Sequence, residues 1–151
     1  MAELTDELRS FLGERRIAVL ATQDRDGGIH LTPIWFLFEG DRFYFASSSG
    51  SRKVKNIERG SSASVVVDSR VPGRERWVSA SGAVEILRDR EAQVINARLR
   101  HRYLTPEGLD GPIETALAVS DDVTLSLAPT VWRSWASDDK SQERWFLALD
   151  A

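Results

Sequence analysis

The run IHLTPIWFLFEGDRFYFASSS, residues 29–49, sets an aromatic-rich strand, a tight Glu39-Gly40-Asp41 turn and a second aromatic strand in immediate succession. Strands joined by so short a connection pair as an antiparallel hairpin. Every residue from Ile34 to Phe38 is apolar. Such a strand is covered on both faces, by core on one side and by a ligand, helix or second subunit on the other. Pro33 cannot donate to a ladder, so it marks an edge, a bulge or an interruption.

Working outward, RIAVLAT (16–22) reads as a preceding strand and DRDGG (24–28) as a turn that tolerates positive φ. LTDELRSFLG (4–13) reads as a short helix capped by Thr5 and ended by Gly13, with Leu4, Leu8, Phe11 and Leu12 on one face. Downstream, residues 51–59 read as a short helix with Val54 and Ile57 inward. SASVVVDS (62–69) and RWVSASGAVEIL (76–87) read as strands, and residues 89–104 as a long helix striped by Ala92, Ile95, Leu99 and Tyr103. TPEGLDGP (105–112) breaks that helix, and DVTLSLAPTVWRSWA (122–136) is the last strand. The tail from 137 to 151 has no clear pattern. Strands follow one another instead of alternating with helices, which argues against a parallel doubly wound sheet. The expected class is mainly β: an antiparallel barrel or half-open sheet with helices packed outside.

The chain has 151 residues, 42% of them hydrophobic, enough for one domain spanning 1–151 with its own core. A net charge of −3 favours neither nucleic acid nor an anionic membrane surface as partner. There is no cysteine, which excludes disulfides, thiolate metal sites and a thiol nucleophile. His30 and His101 are the only histidines and have no metal-binding spacing, so no metal is expected. No signal peptide or membrane-length apolar run is legible, and the expected location is cytoplasmic.

One stretch carries chemistry. SSSGSRKVKNIERG, residues 47–60, follows a strand with three hydroxyls and then sets Arg52, Lys53, Lys55 and Arg59 against a single Glu58. A helix starting near Ser51 would present free amides and its positive dipole end, and cations there oppose the dipole. A bound phosphate removes the conflict by pairing with amides, hydroxyls and cations together. A plain solvated helix face is the alternative. Five tryptophans, among them Trp35 and Trp77 in or beside strands, suit either a flat ring system or ordinary core. No Walker loop, G-x-G-x-x-G or nucleophile elbow occurs, and no catalytic acid, base or nucleophile can be assigned. A bound cofactor would then carry the chemistry.

Taken together, residues 16–48 (RIAVLAT to FYFASS), 51–68 (SRKVKNIERGSSASVVVD), 75–87 (ERWVSASGAVEIL) and 127–136 (LAPTVWRSWA) resemble the pyridoxamine 5′-phosphate oxidase-like split β-barrel family of flavin- and deazaflavin-dependent oxidoreductases. The resemblance implies a six- to seven-stranded, FMN-binding-protein-like split barrel. It also implies a homodimer, with the cofactor in a groove between subunits. By position, Lys53 matches the lysine near the cofactor phosphate, with Arg52, Lys55, Ser47 and Ser48 as helpers. Thr32, Pro33, Ile34 and Trp35 match the strand along the cofactor ring, and Trp77 falls where the partner subunit completes the pocket. The short form and SRKVKN are similar to the small actinobacterial-type members that use the deazaflavin coenzyme F-420. Those pass a hydride to a small unsaturated or conjugated acceptor. FMN is the alternative cofactor, in a reductase or oxidase, and a non-catalytic cofactor- or heme-binding protein is a further one. The C-terminal region departs from the arginine-rich signature of vitamin B6 oxidases.

Overall fold

The computed structural model describes residues 3–137. α1 (Asp6–Gly13) starts where the Thr5 hydroxyl accepts the Leu8 N–H at 3.2 Å, and it buries Leu8, Phe11 and Leu12. Seven strands follow: β1 (Ile17–Gln23), β2 (Ile29–Trp35), β3 (Leu37–Glu39), β4 (Arg42–Ser47), β5 (Ser62–Ser69), β6 (Arg76–Leu87) and β7 (Val123–Ala136). α2 (Arg52–Gly60) joins β4 to β5, and α3 (Asp89–Tyr103) follows β6.

All seven strands belong to one antiparallel sheet, ordered β2-β1-β5-β6-β7-β4-β3. Its two outermost strands, β2 and β3, are separated in the chain by Phe36 alone. One residue spans at most about 3.6 Å, so the two edges of the sheet must meet at Phe36. The sheet is therefore curled into a barrel, closed at that residue and split beyond it.

The pattern over 29–39 predicts one long strand, and the structure breaks it at Phe36, which raises the strand count from six to seven. Pro33 is not the break. It holds register opposite Val19 on an edge strand, where its missing N–H costs no ladder bond. At Phe36 the chain leaves β1 and turns onto β4, through a Gly40-Asp41 turn with φ of 55° and 61°. Tyr103 clamps the crossing: its hydroxyl donates to the Arg16 carbonyl at 2.6 Å and accepts the Phe36 N–H at 3.2 Å.

The core fills the barrel. Phe11, Phe36, Phe43, Phe45, Leu125 and Leu127 are all at most 1% exposed. Each stabilises the fold by about 1.5–3 kcal/mol relative to exposure. Alternation along β4 sends Phe43, Phe45 and Ser47 inward. A bulge between Ser81 and Gly82 shifts β6 against β7. Gly82 is required there, since a Cβ would overlap the Ala128 carbonyl.

Between α3 and β7 the expected break is only partial. Residues 105–119 form two short helices, α4 (Pro106–Leu109) and α5 (Pro112–Ala118). Thr105 caps the first through the Gly108 N–H at 3.1 Å, and each carries a proline in its first turn. Prolines and glycines read as breakers are here helix starters. No helix among the described residues is long and apolar enough to cross a membrane. The tail from 138 lies outside the described residues.

Candidate functional site

The barrel stays open between edge strand β2 and β4, which share no ladder among the described residues. A cavity of about 420 Å³ lies at this split. Pro33, Ile34 and Trp35 form one wall, Ala46 of β4 the floor, and Leu99 and Leu117 of α3 and α5 the cover. Trp35 is held as a flat surface, because its indole stacks on the Tyr103 ring at 4.9 Å and an interplanar angle of 4°. Thr32, on the more buried side of β2, precedes this wall in the strand. Its hydroxyl lies 2.9 Å from the His30 Nε2.

α2 follows β4, whose Ala46 lines the groove, and packs against the end of β1 through Thr22 and Asp24. Ser47 is buried with its Oγ 2.8 Å from the Ser51 Oγ, while Ser48 is exposed and its carbonyl accepts the Ser51 N–H at 3.0 Å. Ser51 caps α2 by accepting the Val54 N–H. These bonds fold the serines into a turn and leave the Arg52 and Lys53 amides in the unbonded first turn. No acidic residue occupies that turn.

The four cations of this segment separate into different roles. Arg52 is drawn away to Asp24, its Nε donating at 2.8 Å. The Asn56 amide joins the same carboxylate at 2.8 Å and the Thr22 hydroxyl at 3.1 Å. The hydrogen bond from Arg52, and next that from Asn56, lowers the Asp24 pKa to about 2. Arg59 donates to the Gln23 carbonyl. Lys55 meets Glu58 at 3.7 Å and, two positions on from Lys53, faces another side of α2.

Lys53 differs from the other three. It has no hydrogen bond or ion pair among the described residues, and burial pushes its pKa below the ordinary lysine value. A half-buried ammonium without a counter-charge, in the first turn of a helix, is costly on its own. An anion at that place relieves the cost.

Of the expected residues the structure brings Pro33, Ile34 and Trp35 to the cavity, while Thr32, Ser47, Ser48, Arg52, Lys53 and Lys55 do not line it. It does not bring Trp77 there. Trp77 lies on the outer face of β6, three strands from Trp35 and about 14 Å away at the usual strand spacing. That outer face also exposes Ile17, Ile29, Leu31 and Trp135. Sequence reading placed Tyr103 in a core stripe and missed its clamp on the crossing. It also missed Asp24 and Asn56. Asn56 carries a signal, being polar beside Val54 and Ile57 on the buried helix face.

Comparison with known proteins gives a family and several relatives. Residues 4–136 match the family described as pyridoxamine 5′-phosphate oxidase. A biliverdin reductase of Mycobacterium tuberculosis that depends on reduced F-420 is 35% identical over 108 residues, covering 68% of this chain and 74% of that protein. Among solved structures, an F-420 reductase superposes with a TM-score of 0.65 at 25% identity, covering 83% of this chain and 94% of the other. A conserved hypothetical protein of Mycobacterium tuberculosis shares the fold with a TM-score of 0.75 at 23% identity, covering 100% and 92%.

Proposed function

The chain belongs to the pyridoxamine 5′-phosphate oxidase family, and on that premise we propose that it is an F-420-dependent oxidoreductase acting on a conjugated small-molecule acceptor. When bound, the reduced deazaflavin supplies the hydride. The single observation that carries this reading is the half-buried Lys53 in the first turn of α2, without a partner among the described residues, in a barrel that also holds an apolar groove floored by Ala46 of the preceding strand. A phosphate-bearing, flat-ringed cofactor fits both halves of that arrangement.

In this reading Lys53, the Ser47 and Ser48 hydroxyls and the first amides of α2 hold the phosphate. Thr32 to Trp35 lie along the ring system, with Trp35 braced from behind by Tyr103. Arg52 serves indirectly, fixing α2 to the β1–β2 turn through Asp24, and Lys55 adds only long-range charge. Closing the groove with apolar walls keeps water from the transferred hydride.

We further place the groove at the interface of a cytoplasmic homodimer. The exposed Ile17, Ile29, Leu31, Trp77 and Trp135 support this, being large apolar side chains on the outer face of one sheet. A second copy on that face would bring its Trp77 to the cofactor, which one chain alone does not do.

The test is a fluorescence titration of the purified protein with F-420, run beside FMN. Saturable micromolar binding of F-420 with much weaker binding of FMN is expected. FMN binding in preference moves the protein to the flavin-dependent members, and binding of neither refutes the reading.

A further inference from the structure

The groove at the split is not closed at its far end. It shares Ile17 and Pro33 with a second cavity of about 760 Å³, which in turn shares Arg16, Ser69 and Val71 with a third of about 450 Å³. The three cavities therefore adjoin one another in a row, or trough, from Trp35 across the start of β1 to the β5–β6 loop. The charge along it changes. The groove is mainly apolar, its one charged lining residue, Arg100, being paired with Glu114, whereas the other two cavities are walled by Arg15, Arg16, Arg70, Arg74 and Arg76 against Glu14 and Asp68. In a chain of net charge −3, that is a local concentration of cations at the end remote from Lys53.

Two of these arginines are held in place. The Arg16 and Arg76 guanidinium carbons lie 4.9 and 4.7 Å from the centroid of the buried Phe11 ring. Their side chains are only 29% and 25% exposed. Each has an acidic partner: Arg16 meets Glu14 through two nitrogens, whereas Arg76 meets Glu7, which is 74% exposed, through one. Exposed pairs of that kind contribute little and exchange readily for another carboxylate. A guanidinium fork held by an aromatic ring is suited to bidentate recognition of a carboxylate.

We propose that this basin docks the carboxylate groups of the acceptor, so that the substrate is an extended conjugated carboxylic acid. From β2 across β1 and β5 to β6 the trough spans about 14 Å, which sets the distance from the reacting end to the acid groups. The inference rests on the oxidoreductase reading for its reacting end and on the arginines for its acid end.

Biliverdin, a conjugated diacid, and its neutral dimethyl ester are suitable probes, with binding to the cofactor-loaded protein followed by quenching of tryptophan fluorescence. The acid is expected to bind about tenfold more tightly than the ester, and Arg76→Gln or Arg16→Gln to abolish that preference. Arg90→Gln, on the exposed face of α3, is expected to leave it intact. Affinity for F-420 is unchanged in all three variants. Equal binding of acid and ester, binding of neither, or a preference that survives both arginine substitutions overturns the proposal. Failure of the wild-type protein to bind F-420 is read separately and strikes the oxidoreductase assignment instead.

Discussion

Replacing Lys53 by alanine separates a cofactor lysine from a structural one. Among the described residues this ammonium has no partner to orphan, and burial already disfavours its charge. Its removal therefore costs the free protein nothing and relieves a cation opposed to the α2 dipole, an effect of about 0.3–1 kcal/mol. In the complex the same removal deletes a charge-assisted bond to phosphate, worth about 1.5–3 kcal/mol. The expected result is a Kd for F-420 raised about 10- to 150-fold, with a melting temperature unchanged or slightly higher. Fluorescence titration and thermal unfolding read the two quantities independently. Lys55→Ala, which loses only an exposed contact with Glu58, should change the Kd by about twofold or less. The pH profile carries the same signature. The lowered pKa of Lys53 means that its charge is lost at a lower pH than for an ordinary lysine, so affinity should fall on the alkaline side before pH 10.5. An unchanged Kd in Lys53→Ala, or a melting temperature lowered by several degrees, would refute the reasoning.

Other outcomes follow from the same geometry. Tyr103→Phe removes the bond to the Arg16 carbonyl and leaves the Phe36 N–H unpaired, an expected loss of about 1–3 kcal/mol measurable by urea unfolding. Gly82→Ala forces a methyl into the Ala128 carbonyl, and should destabilise by about 3 kcal/mol or more, or abolish soluble expression. Leu31→Glu, at 62% exposure on the outer sheet face, should convert a dimer to a monomer in sedimentation while leaving the far-ultraviolet circular dichroism unchanged. Asp24, with its pKa lowered to about 2, contributes stability that is fully present above the ordinary carboxylate range. That contribution should be lost as pH falls from about 4 to about 2, and Asp24→Asn should flatten the acid limb of an unfolding curve.

Most of the elements were legible in the order of residues. The strands β4, β5 and β6, the Thr5 cap, the start of α2 near Ser51 and the Glu39-Gly40-Asp41 turn are local chemistry, read from neighbours a few positions apart. So was the run of serines and four cations at 47–59. The failures share a cause. Phe36 looks like any other apolar residue of a strand, and only the curl of the whole sheet makes it the point where two edges meet. TPEGLDGP reads as a breaker because proline and glycine stop helices, yet the same residues start α4 and α5 where a cap and a free first turn receive them.

The basic cluster shows the division most clearly. Local sequence put four cations within eight positions and could not rank them, because charge and spacing are alike along the run. Tertiary contacts ranked them: Asp24 arrives from the β1–β2 turn to take Arg52, the Gln23 carbonyl takes Arg59, and Glu58 takes Lys55. Lys53 is what remains. Arg16 and Arg76 were scattered charges sixty residues apart in the chain, and Phe11 and the sheet register make them neighbours. Short-range patterns determine backbone conformation, since hydrogen bonding and side-chain sterics act over a few residues. Which charge is left without a partner depends on groups distant in the chain, and folding alone brings those together.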